Sequence, residues 1–124
     1  MTESFPPLLY VAGAYTASTP TDILHNISKA EKVSIALIRN GWNVITPHKN
    51  TGGYEQYEDD VLSKQTWVTM DLNILERCDA LYVMNNWRAS RGTQTEICFV
   101  AAHDIPTFWE ERIPANELRA EVMI

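Results

Sequence analysis

The sequence predicts an α/β fold in which a parallel sheet of four to five strands lies between two layers of helices, a three-layer sandwich. Three observations predict it. Short apolar runs recur at 8–13, 42–46, 80–84 and 105–109. Longer segments between them carry apolar residues at helical spacing. The runs lack polar alternation, as expected of strands covered on both faces. Strands and helices in alternation imply βαβ crossovers and an open sheet.

The first strand, 8–13, is apolar with β-branched Val11 and ends at Gly13. A helix follows, with Thr19 able to cap it, Pro20 suited to its first position and Asp22 favouring its positive end. Ile23, Ile27, Ala30, Val33 and Leu37 share one face, and Asn40 with Gly41 closes the helix. The second strand, 42–46, stops at Pro47. The loop at 48–60 exceeds the usual connection length, a property of functional loops. A helix over 62–77 is expected to bury Trp67, Met70 and Ile74. The third strand is 80–84, the next helix spans 90–103, and Pro106 puts the fourth strand near an edge. The tail from 113 is expected to add a final helix. The 124 residues fit one domain, 1–124.

The net charge is −6, which argues against a nucleic-acid polymer as partner, since that requires a surplus of Lys and Arg. Arg88 and Arg91 form the closest arginine pair. Cys78 and Cys98 lie in apolar surroundings without CxxC spacing and read as buried free thiols. No His or Cys spacing suits a metal, and no cofactor is called for. The start of the chain lacks the regions of a secretory signal, and no apolar run nears the ~20 residues of a membrane span. A soluble, cytoplasmic protein without a membrane partner is expected.

Ligands of open parallel sheets bind beyond the carboxyl ends of the strands, where strand order reverses. Segments 13–17, 46–53 and 85–96 should meet there. In the last, Ser90 can cap the helix and Gly92 lets a ligand approach free N–H groups. Glu96 lies beside the apolar stripe of Ile97, Val100 and Ala101. Taken alone it is also compatible with a solvated helix position. The same holds for Asp71, between Met70 and Ile74. Cleavage at an anomeric carbon requires such a carboxylate with a second group that handles a proton. Trp87, in the site loop, either joins the core or stacks on a base.

Five segments in this order resemble the nucleoside 2-deoxyribosyltransferase family: 10–17, 44–48, Asp71, 77–83 and 90–96. In detail they resemble its short branch, related to 2′-deoxynucleoside 5′-monophosphate N-hydrolases. The likeness runs over 8–108. It implies a flavodoxin-like, Rossmann-like sheet and a double displacement in which Glu96 attacks C1′ and a second base or water resolves the glycosyl ester. It also implies that Asp71 contacts or protonates the base, that Tyr15 orients the nucleophile and that His48 lines the base pocket. Gly13, Ala14, Thr16, Trp87, Ser90, Arg91 and Gly92 complete the expected binding set. Partners would be a nucleoside or nucleotide and a free base, in a homo-oligomer. Ser90 stands where transferases of free nucleosides carry Asp, a change that suits a 5′-phosphate, because a carboxylate there would repel it. Gly92, Thr93 and Glu96 also resemble part of the phosphoribohydrolase signature of cytokinin-activating enzymes, without its preceding glycines. A non-catalytic nucleotide-binding or regulatory module on the same fold is the rival of different class.

Overall fold

The computed structural model describes residues 5–123. Its strands are β1 (Leu8–Ala12), β2 (Asn43–Ile45), β3 (Ala80–Val83) and β4 (Thr107–Trp109). Its helices are α1 (Pro20–Arg39), α2 (Pro47–Asn50), α3 (Lys64–Glu76) and α4 (Arg91–Ala102). The sheet has four strands in the order β2-β1-β3-β4, and every pairing is parallel. This is the flavodoxin-like α/β arrangement, and the strand order reverses between β1 and β3.

The central strands are buried on both faces, as their unbroken apolar runs require. Leu9, Val11, Ala80 and Tyr82 point to one face, where they pack with Ala30 and Leu37 of α1 and with Leu118 of the tail. Tyr10, Ala12, Leu81 and Val83 point to the other, against Leu75 of α3 and Val100 of α4. Helix α1 starts as its residues dictate: the Thr19 side chain accepts the Asp22 amide at 3.1 Å, with Pro20 at the first position. Its exit turns at Gly41, whose φ of +97° suits glycine.

Four expectations are corrected. Pro47 does more than stop β2: it opens the one-turn helix α2, and the long loop also holds a 3₁₀ turn at Tyr54–Tyr57. The tail folds mainly as turns with a 3₁₀ turn at Ala120–Met123, because its carbonyls are held one by one by side chains. Trp42 Nε1 donates to Leu118 O, Asn40 Nδ2 to Ala115 O and the Tyr82 hydroxyl to Ile113 O. On α3, Leu75 is the fully buried residue and Met70 is exposed. Cys78 is buried and free as expected, but Cys98 is exposed. Among the described residues no helix is long and apolar enough to cross a membrane.

Candidate active site

A cavity of about 510 Å³ opens beyond the carboxyl ends of β1 and β2, lined also by residues of α3 and α4. The three expected segments all contribute to it: Gly13, Tyr15 and Thr16; Pro47, His48 and Thr51; and Ser90 to Thr93 with Glu96. A fourth wall, from Glu55 and Glu58 and from Lys64, Trp67, Val68 and Asp71 of α3, was not foreseen as a group. A second cavity of about 480 Å³ lies on the α1 face, among Lys29, Lys32, Asn85, Asn86 and Glu110. It contains neither Asp71 nor Glu96.

Glu96 sits on the buried stripe of α4, with Thr93 one turn before it and Val100 one turn after, at spacings of three and four residues. That stripe lies over β1, where the fully buried Tyr10 donates its hydroxyl hydrogen bond to Glu96 Oε2. Asp71 occupies the matching stripe of α3, one turn before Leu75, and its Oδ1 is buried without a hydrogen-bond partner. The two carboxylates line one cavity and repel each other. Burial pushes Glu96 up to about 7, with the Tyr10 hydrogen bond opposing and the Asp71 charge adding to the rise. Burial pushes Asp71 up to about 6. Tyr10 is itself raised by burial and by the Glu96 charge, so it stays a donor. The pair therefore shares a proton near neutrality. The higher value at Glu96 leaves the proton there more of the time, and the Tyr10 hydroxyl, by donating to Glu96, lowers its pKa and so raises the share of the state with Glu96 ionised and Asp71 protonated.

Tyr15 has a different place from the one expected. Its hydroxyl donates to Glu55 at 3.0 Å and accepts the Gly53 amide at 2.8 Å, so it ties the first loop to the 53–58 segment rather than orienting Glu96. The tyrosine that touches the nucleophile candidate is Tyr10, from within the strand. Ala14 is buried, with its N–H given to Asn86 Oδ1 and its carbonyl to His48 Nε2, so it fastens the loop and offers no group to a ligand. Gly13 is required by packing: a Cβ there would lie 2.6 Å from Met84 Sδ and 2.8 Å from Asn86 Oδ1. His48 is buried against the cavity, and burial lowers its pKa, so it stands neutral with Nε2 protonated toward Ala14 O.

Ser90 caps the start of α4, as expected. Ser90 Oγ accepts from the Thr93 amide and hydroxyl at 3.1 and 3.0 Å, which leaves its own hydrogen free to donate. A Cβ on Gly92 would meet only Ser90 Oγ, at 3.8 Å, so the first turn is open to an approaching group. Arg91 lines the cavity, whereas Arg88 is turned away, 3.2 Å from Glu111 and stacked over the Trp87 ring at 4.4 Å. Trp87 is corrected to a packing residue: it meets Trp109 edge-on, 5.4 Å between centroids, and does not line the cavity. Among the described residues no cluster of His, Cys, Asp or Glu could hold a metal ion.

Comparison with known proteins adds two findings. The model of a family described as a domain of unknown function (DUF4406) matches residues 7–107. A 2-deoxyribosyltransferase from the psychrotolerant bacterium Bacillus psychrosaccharolyticus shares the fold, with a TM-score of 0.55 and 22% identity over 82% of this chain and 70% of that one. No curated protein matches.

Proposed function

The chain belongs to the DUF4406 family, and on that premise we propose that it is an enzyme that breaks the N-glycosidic bond of a nucleoside or its 5′-monophosphate. One observation carries the reading: two carboxylates of raised pKa, one held by a buried tyrosine and one unpartnered, line one cavity at the switch point of the sheet. The likeness in fold to a 2-deoxyribosyltransferase supports it.

The ionised Glu96 carboxylate attacks C1′ of the sugar as the C1′–N bond breaks. The bonding pair leaves with the base nitrogen, which takes the proton from the Asp71 carboxylic acid. The glycosyl ester on Glu96 is then opened by water or a second base, whose proton passes to the Asp71 carboxylate as the ester oxygen departs. Both groups return to their starting forms. A mixed protonation state near neutrality suits this cycle, because it needs one carboxylate and one carboxylic acid at once. Ser90, Arg91 and the free N–H groups of the first α4 turn suit a 5′-phosphate.

The test is free base released from deoxynucleosides and their 5′-monophosphates, with and without an acceptor base. Release without acceptor marks a hydrolase, and exchange only with acceptor marks a transferase. Silence across the panel at single-turnover protein concentrations would leave a nucleotide-binding module and refute the enzymatic reading.

A further inference from the structure

The hydrogen-bonding groups around the cavity are unevenly distributed. On the wall formed by α2, the 53–58 segment and α3, the aromatic and imidazole donors are already committed to the protein. The Tyr15 hydroxyl donates to Glu55, Trp67 Nε1 donates to Glu58 Oε2 at 2.7 Å, and His48 Nε2 faces Ala14 O at 3.0 Å. Acceptors on the same wall remain open. Asp71 Oδ1 and His48 Nδ1 are buried with no partner, and the bond from Trp67 engages one oxygen of Glu58. His48 is 6% exposed, and because its Nε2 holds the proton, Nδ1 can only accept. Lys64 is exposed on this wall, while Ser90, Arg91 and the α4 amides supply donors on the other.

A ligand that fills this cavity must therefore bring N–H groups to the α3 wall, or leave buried acceptors unpaired at a cost. Trp67, with Tyr54 edge-on at 5.9 Å, and Tyr15 give the wall flat apolar surface that suits a planar ring. We infer that the base accepted here carries an exocyclic amino group, of cytosine or adenine type, presented to Asp71 and Glu58, and that the uracil and hypoxanthine counterparts, whose ring N–H lies beside a carbonyl oxygen that these acceptors repel, bind less tightly. The inference rests on the proposed nucleoside or nucleotide substrate and narrows it to a base class. Sugar hydroxyls are the other donors that could meet these acceptors, and matched bases on one sugar separate the two cases.

The experiment measures binding by calorimetry, and base release, for two matched pairs of 2′-deoxynucleoside 5′-monophosphates: cytosine against uracil and adenine against hypoxanthine. The wild type is expected to bind the amino member about tenfold or more tightly in both pairs, the worth of a hydrogen bond to a charged acceptor. Glu58→Gln, a shape-conserving change at an exposed residue, is expected to shrink that ratio severalfold. Equal or reversed affinities, or no binding by any member, would overturn the inference, as would a ratio unchanged in Glu58→Gln. Amino-selective binding without base release would uphold this inference while removing the enzymatic reading.

Discussion

Tyr10 and Tyr82 stand on neighbouring central strands, one residue out of register, and both are completely buried. That one-residue offset sends them to opposite faces of the sheet. The Tyr82 hydroxyl donates to a backbone carbonyl, Ile113 O, at 2.8 Å, and so ties the tail over the α1 face. The Tyr10 hydroxyl donates to the carboxylate of Glu96, whose charge is repelled by Asp71. Two residues of one type, equally buried, thus do unlike work because of what they meet. A neutral carbonyl partner settles a buried hydroxyl and stabilises the fold. A carboxylate partner in a cavity holds charge where burial disfavours it, the condition of a reactive group.

Removing the partner that makes Tyr10 special should have the largest effect. Glu96→Ala is expected to lower base release by more than about a hundredfold, given what loss of a nucleophile costs. Its circular dichroism should remain native, since the change deletes a buried charge rather than core volume. Activity within a few-fold of wild type would break the comparison at its reactive end.

Tyr10→Phe comes next and sharpens it. The ring and its packing stay, and only the donor to Glu96 goes. A hydrogen bond to a charged group is worth ~1.5–3 kcal/mol, so base release should fall by about one to two orders of magnitude. The pH profile gives a signature that packing alone would not. In the wild type, with Asp71 pushed up to about 6 and Glu96 to about 7, the profile of kcat/KM should be bell-shaped about neutrality. The Tyr10 hydrogen bond lowers the pKa of Glu96. Losing it raises that pKa, so the alkaline limb, set by the higher-titrating Glu96, should move to higher pH while the acid limb, set by Asp71, moves less. An unmoved alkaline limb would reduce Tyr10 to a core residue like Tyr82.

Much of this contrast could be read from the sequence, but not its central member. Glu96 and Asp71 declared themselves as carboxylates beside apolar helix faces, and the order of the segments around them fitted one chemistry. The role of Tyr10 stayed hidden because 8–13 is apolar throughout. A strand covered on both faces shows no alternation, so nothing marks which residues face α1 and which face α4. Tyr15 drew attention because it lies in a loop at the right end of the sheet, yet the Glu55 carboxylate and the Gly53 amide claimed its hydroxyl. Trp87 was near the site in sequence and was drawn into the core by Trp109, a long-range contact that spacing cannot reveal. The acceptor-lined wall was least legible, since it depends on which donors are already paired.

The smallest expected effect falls on Tyr82→Phe, and it tests the other half of the comparison. The change leaves the ring in place and strips one donor from the carbonyl of Ile113. A net cost of about 1 kcal/mol is expected, which lowers Tm by roughly 4–6 °C for a domain near this size. Base release should stay within about twofold of wild type below the new Tm, because Tyr82 contacts the α1 cluster and not the cavity. The pair of Phe variants then separates stability from chemistry on one sheet: one should lose Tm and keep turnover, the other lose turnover and move the alkaline limb. If Tyr82→Phe slowed base release as much as Tyr10→Phe, the two faces would be acting as one coupled core, and Tyr10 would owe its effect to the sheet rather than to Glu96.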